Sequence, residues 1–158
     1  MRSWAWWKLR IAETVVAIIL ATCLIAVAGV VADRQRTAVP ASAWLRVNEI
    51  YVPDHPAGTN PAMIYDRIVG DNFEGFWIVE VQRQTYTGLW TTTCSGSGVS
   101  NYSPGKIIEN NTVSWDWFVG DACPVPSGLY RLRVTYTLSK AGWPAKRVFA
   151  LSNEFRVY

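Results

Sequence analysis

One histidine, three cysteines and two methionines are all that the chain offers, beyond its carboxylates, to hold a metal or arm a nucleophile. A zinc site takes three or four Cys, His or carboxylate ligands at recognisable spacing, and no such spacing is present. Asp, Glu, Lys and Arg make up only 17% of the residues, below the roughly 25% of an average soluble domain. The net charge of +3 hides no basic field. Residues 33–158 hold 12 Lys and Arg against 11 Asp and Glu, too even a balance to grip nucleic acid. A Gly-x-Ser-x-Gly elbow, a Glu-x-x-His pair and an Asp-x-Asp loop are all missing, which removes the commonest hydrolase and metal signatures.

What the chain has instead is one long uncharged run, Thr14–Ala32, reading TVVAIILATCLIAVAGVVA. As a helix these residues reach roughly 28 Å, close to the thickness of a bilayer's hydrocarbon core. With Ile11 and Ala12 added, residues 11–32 are predicted to be a transmembrane signal-anchor helix behind a cytoplasmic tail of residues 1–10. Trp4, Trp6 and Trp7 stand before the run, where amphipathic rings favour the headgroup layer. Arg2, Lys8 and Arg10 outweigh Arg34 and Arg36, which Asp33 dilutes, and this bias places the N-terminus inside. Two other modes of export fit the same residues. Ala26-Val27-Ala28 has the small-x-small form of a signal cleavage site, and Leu20-Ala21-Thr22-Cys23 loosely resembles a lipobox. The run continues past both without a polar break, which favours the anchor. All three deliver the remainder across a membrane.

With Cys23 inside the run, Cys94 and Cys123 are left as an even pair in the exported part. A disulfide between them suits an oxidising compartment. Two thiols and the lone His55 are too few for a closed metal site, and no second histidine is present to serve either thiol as a base.

Residues 33–43 read as a short polar stalk, and residues 44–158 as one mainly β domain. The expected strands are Leu45–Val52, Ala62–Val69, Gly75–Gln84, Thr85–Cys94, Thr112–Val119, Leu129–Leu138 and Lys146–Tyr158, the last broken by a bulge near Ser152-Asn153. The plainest is Leu129–Leu138, where Tyr130, Leu132, Val134, Tyr136 and Leu138 alternate with Arg131, Arg133, Thr135 and Thr137. Period-two alternation marks a strand with one buried and one wet face. The same rule sends Trp77, Val79 and Val81 inward, and likewise Val113, Trp115 and Trp117. The Gly- and Ser-rich stretch from Ser95 to Gly105 reads as a loop. Seven strands joined by Gly, Pro and Asn turns predict an antiparallel two-sheet sandwich.

Ser127-Gly128-Leu129-Tyr130-Arg131-Leu132 resembles the entry to the penultimate strand of immunoglobulin-like modules, where a tyrosine forms a corner, and Trp77 resembles their core tryptophan. The likeness spans roughly residues 44–158 and implies a seven-stranded immunoglobulin-like sandwich. Leu132 stands where antibody-type domains carry their second cysteine, so Cys94 and Cys123 would join other places. A single span with such a domain is similar to small envelope proteins of bacteria and their phages, which implies a periplasmic setting.

Asp54, His55, Asp66 and Asp71 are the nearest approach to an acid–base cluster, but they fall in or beside turn-rich sequence where such residues serve the backbone. Trp143, in Lys140-Ala141-Gly142-Trp143-Pro144, sits at an expected hairpin tip and is the best candidate for an exposed contact. The expectation is therefore a membrane-tethered binding or structural module that touches another envelope protein, without catalysis, cofactor, metal or nucleic acid. The alternatives are a carbohydrate-binding module using Trp143 and, last, an envelope hydrolase using His55.

Overall fold

A computed structural model describes residues 3–105, 111–120, 123 and 125–158, with side chains in the first helix described from Arg10 onward. The chain divides into two compact units, Met1–Val39 and Pro40–Tyr158.

The first unit is one helix, α1 (Ser3–Ala38). Its apolar side chains stand exposed on every side, Ile18, Leu24, Ile25 and Val27 among them, so it has no wet face of the kind a core helix keeps. Thr14, Thr22 and Thr37 turn their hydroxyls back onto the carbonyls of Arg10, Ile18 and Asp33 at 2.8, 2.5 and 2.8 Å, which satisfies them without water. Among the described residues this is the one helix long and apolar enough to cross a membrane, over Arg10–Ala38. A signal sequence has the same character. The first six residues of the expected stalk are helical. Asp33, Arg34 and Arg36 end the apolar run but not the helix, which stops only where Pro40 disfavours helical backbone at Val39.

The second unit begins with a 3₁₀ turn, Ala41–Ala43, and continues as two antiparallel sheets. The smaller has the order β1-β2-β5, from β1 (Leu45–Tyr51), β2 (Ala62–Val69) and β5 (Thr112–Ser114). The larger has the order β4-β3-β6-β7, from β3 (Phe73–Gln84), β4 (Trp90–Tyr102), β6 (Gly128–Ser139) and β7 (Lys146–Leu151). A short β8 (Phe155–Val157) also pairs with β6. The alternating apolar residues set the register. Trp77, Val79 and Val81 on β3 lie opposite Tyr136, Val134 and Leu132 on β6, all six buried. The smaller sheet adds Leu45, Ile50, Met63 and Tyr65 to the core. The Tyr65 hydroxyl donates to the Tyr136 hydroxyl at 2.6 Å, joining the two inward faces.

The expected final strand is divided into β7 and β8 for a chemical reason. Ser152 Oγ accepts from the Leu132 amide at 2.8 Å, while the Asn153 side chain accepts from Val52 N at 2.7 Å and donates to Val52 O at 2.9 Å. These side chains take over the partners that a continuous strand would have claimed. The Tyr130 hydroxyl donates to the Pro126 carbonyl four residues upstream at 2.7 Å, which fixes the entry to β6.

Two expectations are corrected. The stretch taken for a loop is largely β4, with Cys94, Gly96, Gly98, Ser100 and Tyr102 on its inner side. Its small inner residues make room. A Cβ on Gly96 would lie 2.5 Å from the Val119 carbonyl oxygen, and one on Gly98 would lie 2.5 Å from the Trp77 ring. The expected strand Thr112–Val119 keeps only its first three residues and then closes into a single helical turn, α2 (Trp115–Phe118). In that turn the i and i+3 positions share a face. Trp115 and Phe118 are therefore buried at 3% exposure each, while Trp117 swings outward to 54%.

Candidate functional site

Cys94 on β4 and Cys123 beyond α2 form a disulfide, with Cα atoms 5.7 Å apart. It fastens the segment after α2 to β4, at the open end of the larger sheet. Cys23 lies exposed on α1 as a free thiol. Trp4, Trp6 and Trp7 fall in the first turns of α1, and their side chains lie outside the described residues.

Trp143 occupies the β6–β7 turn as expected, with its amide donating to the Lys140 carbonyl at 3.1 Å. It is not a free tip. The indole is half-buried, edge-on to the fully buried Trp44 ring at 5.7 Å, with Lys140 Nζ 5.4 Å from its centroid. Lys140 in turn pairs with Asp71, whose carboxyl it holds below the usual range, aided by the Asn72 amide. The turn folds down because Trp44 supplies a ring for Trp143 to cover.

The four acid–base candidates have structural partners and do not converge. Asp54 accepts from the Arg156 amide at 2.6 Å, and the His55 backbone pairs with the C-terminal segment at Arg156 and Tyr158. His55 Nδ1 faces Pro56 O at 3.1 Å and Thr59 Oγ1 at 3.2 Å, and its ring lies 5.8 Å from that of Phe155. Asp66 accepts from Asn48. Among the described residues, no three His, Cys, Asp or Glu side chains gather closely enough to hold a metal.

Two surfaces that sequence reasoning missed carry the interest. The first is a cleft of about 400 Å3 where β4 and β5 leave the sheet edges open, lined by Arg67, Ser100, Asn101, Val113, Ser114 and Trp117. The Trp117 ring leans on Trp77 at 5.5 Å. The Arg67 guanidinium lies over the rings of Tyr65 and Tyr102 at 5.2 and 4.6 Å. No carboxylate among the described residues pairs with it, and its Nε is buried without a partner. Burial pushes the Tyr102 phenol up to about 12, the neighbouring Tyr65 adding to the rise and Arg67 opposing it. A signal for Arg67 was present: Met63, Tyr65 and Arg67 share one side of β2, which places a cation on the inward face.

The second surface is the outward face of the larger sheet. Phe76, Ile78, Val99, Phe149 and Leu151 are all exposed there. In register, Phe76 lies beside Val99, and Ile78 is separated from Phe149 only by Thr135. Arg131, Arg133 and Arg147 border these residues; Arg133 leans towards Glu80 at 3.8 Å, and Arg131 donates to Gln82 and lies over Trp90. A depression of about 420 Å3 opens between Arg131, Arg133, Phe149 and Leu151.

Comparison with family models, with curated proteins and with solved structures finds no match for this chain.

Proposed function

We propose that the protein is a membrane-tethered, extracytoplasmic binding module of a bacterial or phage envelope. In this reading α1 is a retained signal anchor with its N-terminus inside, and the immunoglobulin-like sandwich stands in the periplasm against another envelope protein. The outward face of the β4-β3-β6-β7 sheet carries the reading. Five exposed large apolar side chains share it, Phe149 at 61% exposure, whereas monomeric domains seldom leave such a face open. Its border of Arg131, Arg133 and Arg147 selects the partner chemistry: an apolar protein surface edged with carboxylates. No catalysis enters the reading, since Asp54 and His55 are engaged in holding the C-terminal strand.

A photo-crosslinking residue placed at Phe149 in intact membranes tests the contact, with the same residue at Tyr86, in the exposed β3–β4 turn, as control. A discrete crosslinked protein from position 149, lost when Ile78 is changed to Glu, supports the reading. Absence of crosslinks, together with a monomeric detergent-solubilised chain, overturns it. The anchor is tested separately by alkaline carbonate washing. The protein should stay with the membranes, and release with a new N-terminus at Gly29 would replace the anchor by a cleaved signal.

A further inference from the structure

We infer that the cleft between β4 and β5 is a binding site for an acidic saccharide, on a different face and by different chemistry from the protein contact above. Four observations converge. Trp117 presents more than half of its surface to solvent although it belongs to an aromatic pair with Trp77. An indole fixed from behind and open in front is a platform for the apolar face of a sugar ring. Ser100, Asn101 and Ser114 line the same cleft and offer hydroxyl and amide groups, which both donate and accept and so match sugar hydroxyls. Arg67 brings a charge that no described carboxylate neutralises, with a buried Nε lacking a partner. The Arg67 side chain also lines the cleft, where its guanidinium would form a charge-assisted bond to a carboxylate. Finally, the volume of about 400 Å3 lies within the ordinary range of small-molecule sites.

The components also come pre-arranged. Arg67 is held flat against Tyr65 and Tyr102, Trp117 is set by the α2 turn, and the turn is held near β4 by Cys94–Cys123. Little ordering would be left for the ligand to supply, which favours binding by a small number of contacts. Asn101 lies on β4 and Ser114 on β5, so a sugar in the cleft would touch both sheet edges. The ligand class follows from the sum: a ring for Trp117, hydroxyls for Asn101 and the serines, and one carboxylate for Arg67. A uronic acid unit carries all three.

The test is titration of the full chain in detergent micelles by calorimetry and saturation-transfer NMR. The probes are digalacturonic acid, its neutral counterpart galactobiose, and acetyl-Ala-Ala as a carboxylate without a sugar ring. Saturable binding of digalacturonate in the roughly millimolar range or tighter is expected, at least about tenfold stronger than galactobiose or the peptide. Trp117→Ala should abolish it while the domain still melts cooperatively, since more than half of the side chain is exposed. Arg67→Gln should erase the preference for the acid. If that variant fails to fold, titration of the unaltered chain in about molar salt takes its place and should weaken digalacturonate while leaving galactobiose unchanged, because a charge-assisted bond in an open cleft is screened by salt. No saturable binding, equal affinity for the neutral sugar or the peptide, or binding indifferent to Trp117→Ala each overturns the assignment. None of these results bears on crosslinking at Phe149, so the two readings fail separately.

Discussion

Removing the Cys94–Cys123 bond should lower the melting temperature of the β domain sharply without destroying its sheets. The bond closes a loop with a sequence separation of 29. In the chain-entropy picture, cross-linking that many residues withdraws about 3.6 kcal/mol of freedom from the unfolded chain. Unfolding a unit the size of Pro40–Tyr158 releases roughly 0.25 kcal/mol per kelvin, so the expected drop is about 10–15 °C. The β3–β6 pairing lies elsewhere, with Val79, Val81, Leu132 and Val134 fully buried, and it should survive. The assay is a far-UV melt of the full chain in detergent, as purified, after reduction, and as the Cys94→Ser/Cys123→Ser variant. Thiol alkylation of the non-reduced protein should label Cys23 alone. A shift below about 3 °C with the bond verified beforehand would refute the loop-closure reasoning, and labelling of Cys94 and Cys123 would remove the bond itself.

Three further outcomes follow from the packing. Gly96→Ala should cost about 1–3 kcal/mol, because the new methyl meets backbone atoms of Phe118 and Val119 that cannot rotate away; denaturant melts measure it, and a neutral result would mean that α2 does not press on β4. Tyr136→Phe alone should cost about 1–3 kcal/mol by leaving the Tyr65 hydroxyl buried without an acceptor, while Tyr65→Phe/Tyr136→Phe together should recover most of that loss; a double-mutant cycle with no coupling would contradict the bond. Alkali should weaken the domain. The folded Tyr102 value of about 12 lies above its unfolded value near 10, so its contribution of about 3 kcal/mol is complete below pH 10 and disappears as the pH climbs towards 12; Tyr102→Phe should make the decline shallower without removing it, because burial also raises Tyr65, Tyr130 and Tyr136.

The parts of the fold legible in the sequence are those where one rule acts alone. On β6, apolar and polar residues alternate without interruption, and each even-numbered side chain from Tyr130 to Leu138 is buried. The cysteine pair was legible by parity, since Cys23 sits in the apolar run and only two thiols remain. β4 was not legible, because composition and geometry conflict there. Serine and glycine signal a loop, yet Gly96 and Gly98 are small because Val119 and Trp77 occupy the space a side chain would need. That requirement belongs to residues about twenty positions away and leaves no local trace. The α2 turn was lost for another reason. Over Val113, Trp115 and Trp117, alternation fits a strand as well as the composition does, and only the tertiary packing of Phe118 against Trp77, at 5.1 Å between rings, selects the turn.

These two misreadings together hid the cleft, since it exists only where β4 continues and the strand after it does not. Had residues 112–119 formed a full strand, Trp117 would have joined Val113 and Trp115 in the core. The helical turn instead exchanges Phe118 for Trp117 as the buried ring and frees an indole beside Arg67. The Gly96 contact and the Cys94–Cys123 bond both hold that turn against β4, one by removing a methyl and the other by a covalent tie. Stability and site geometry are therefore linked at this edge. Reduction should loosen α2 before it disturbs β3 and β6, and the aromatic wall of the cleft should be the first element to lose its fixed position.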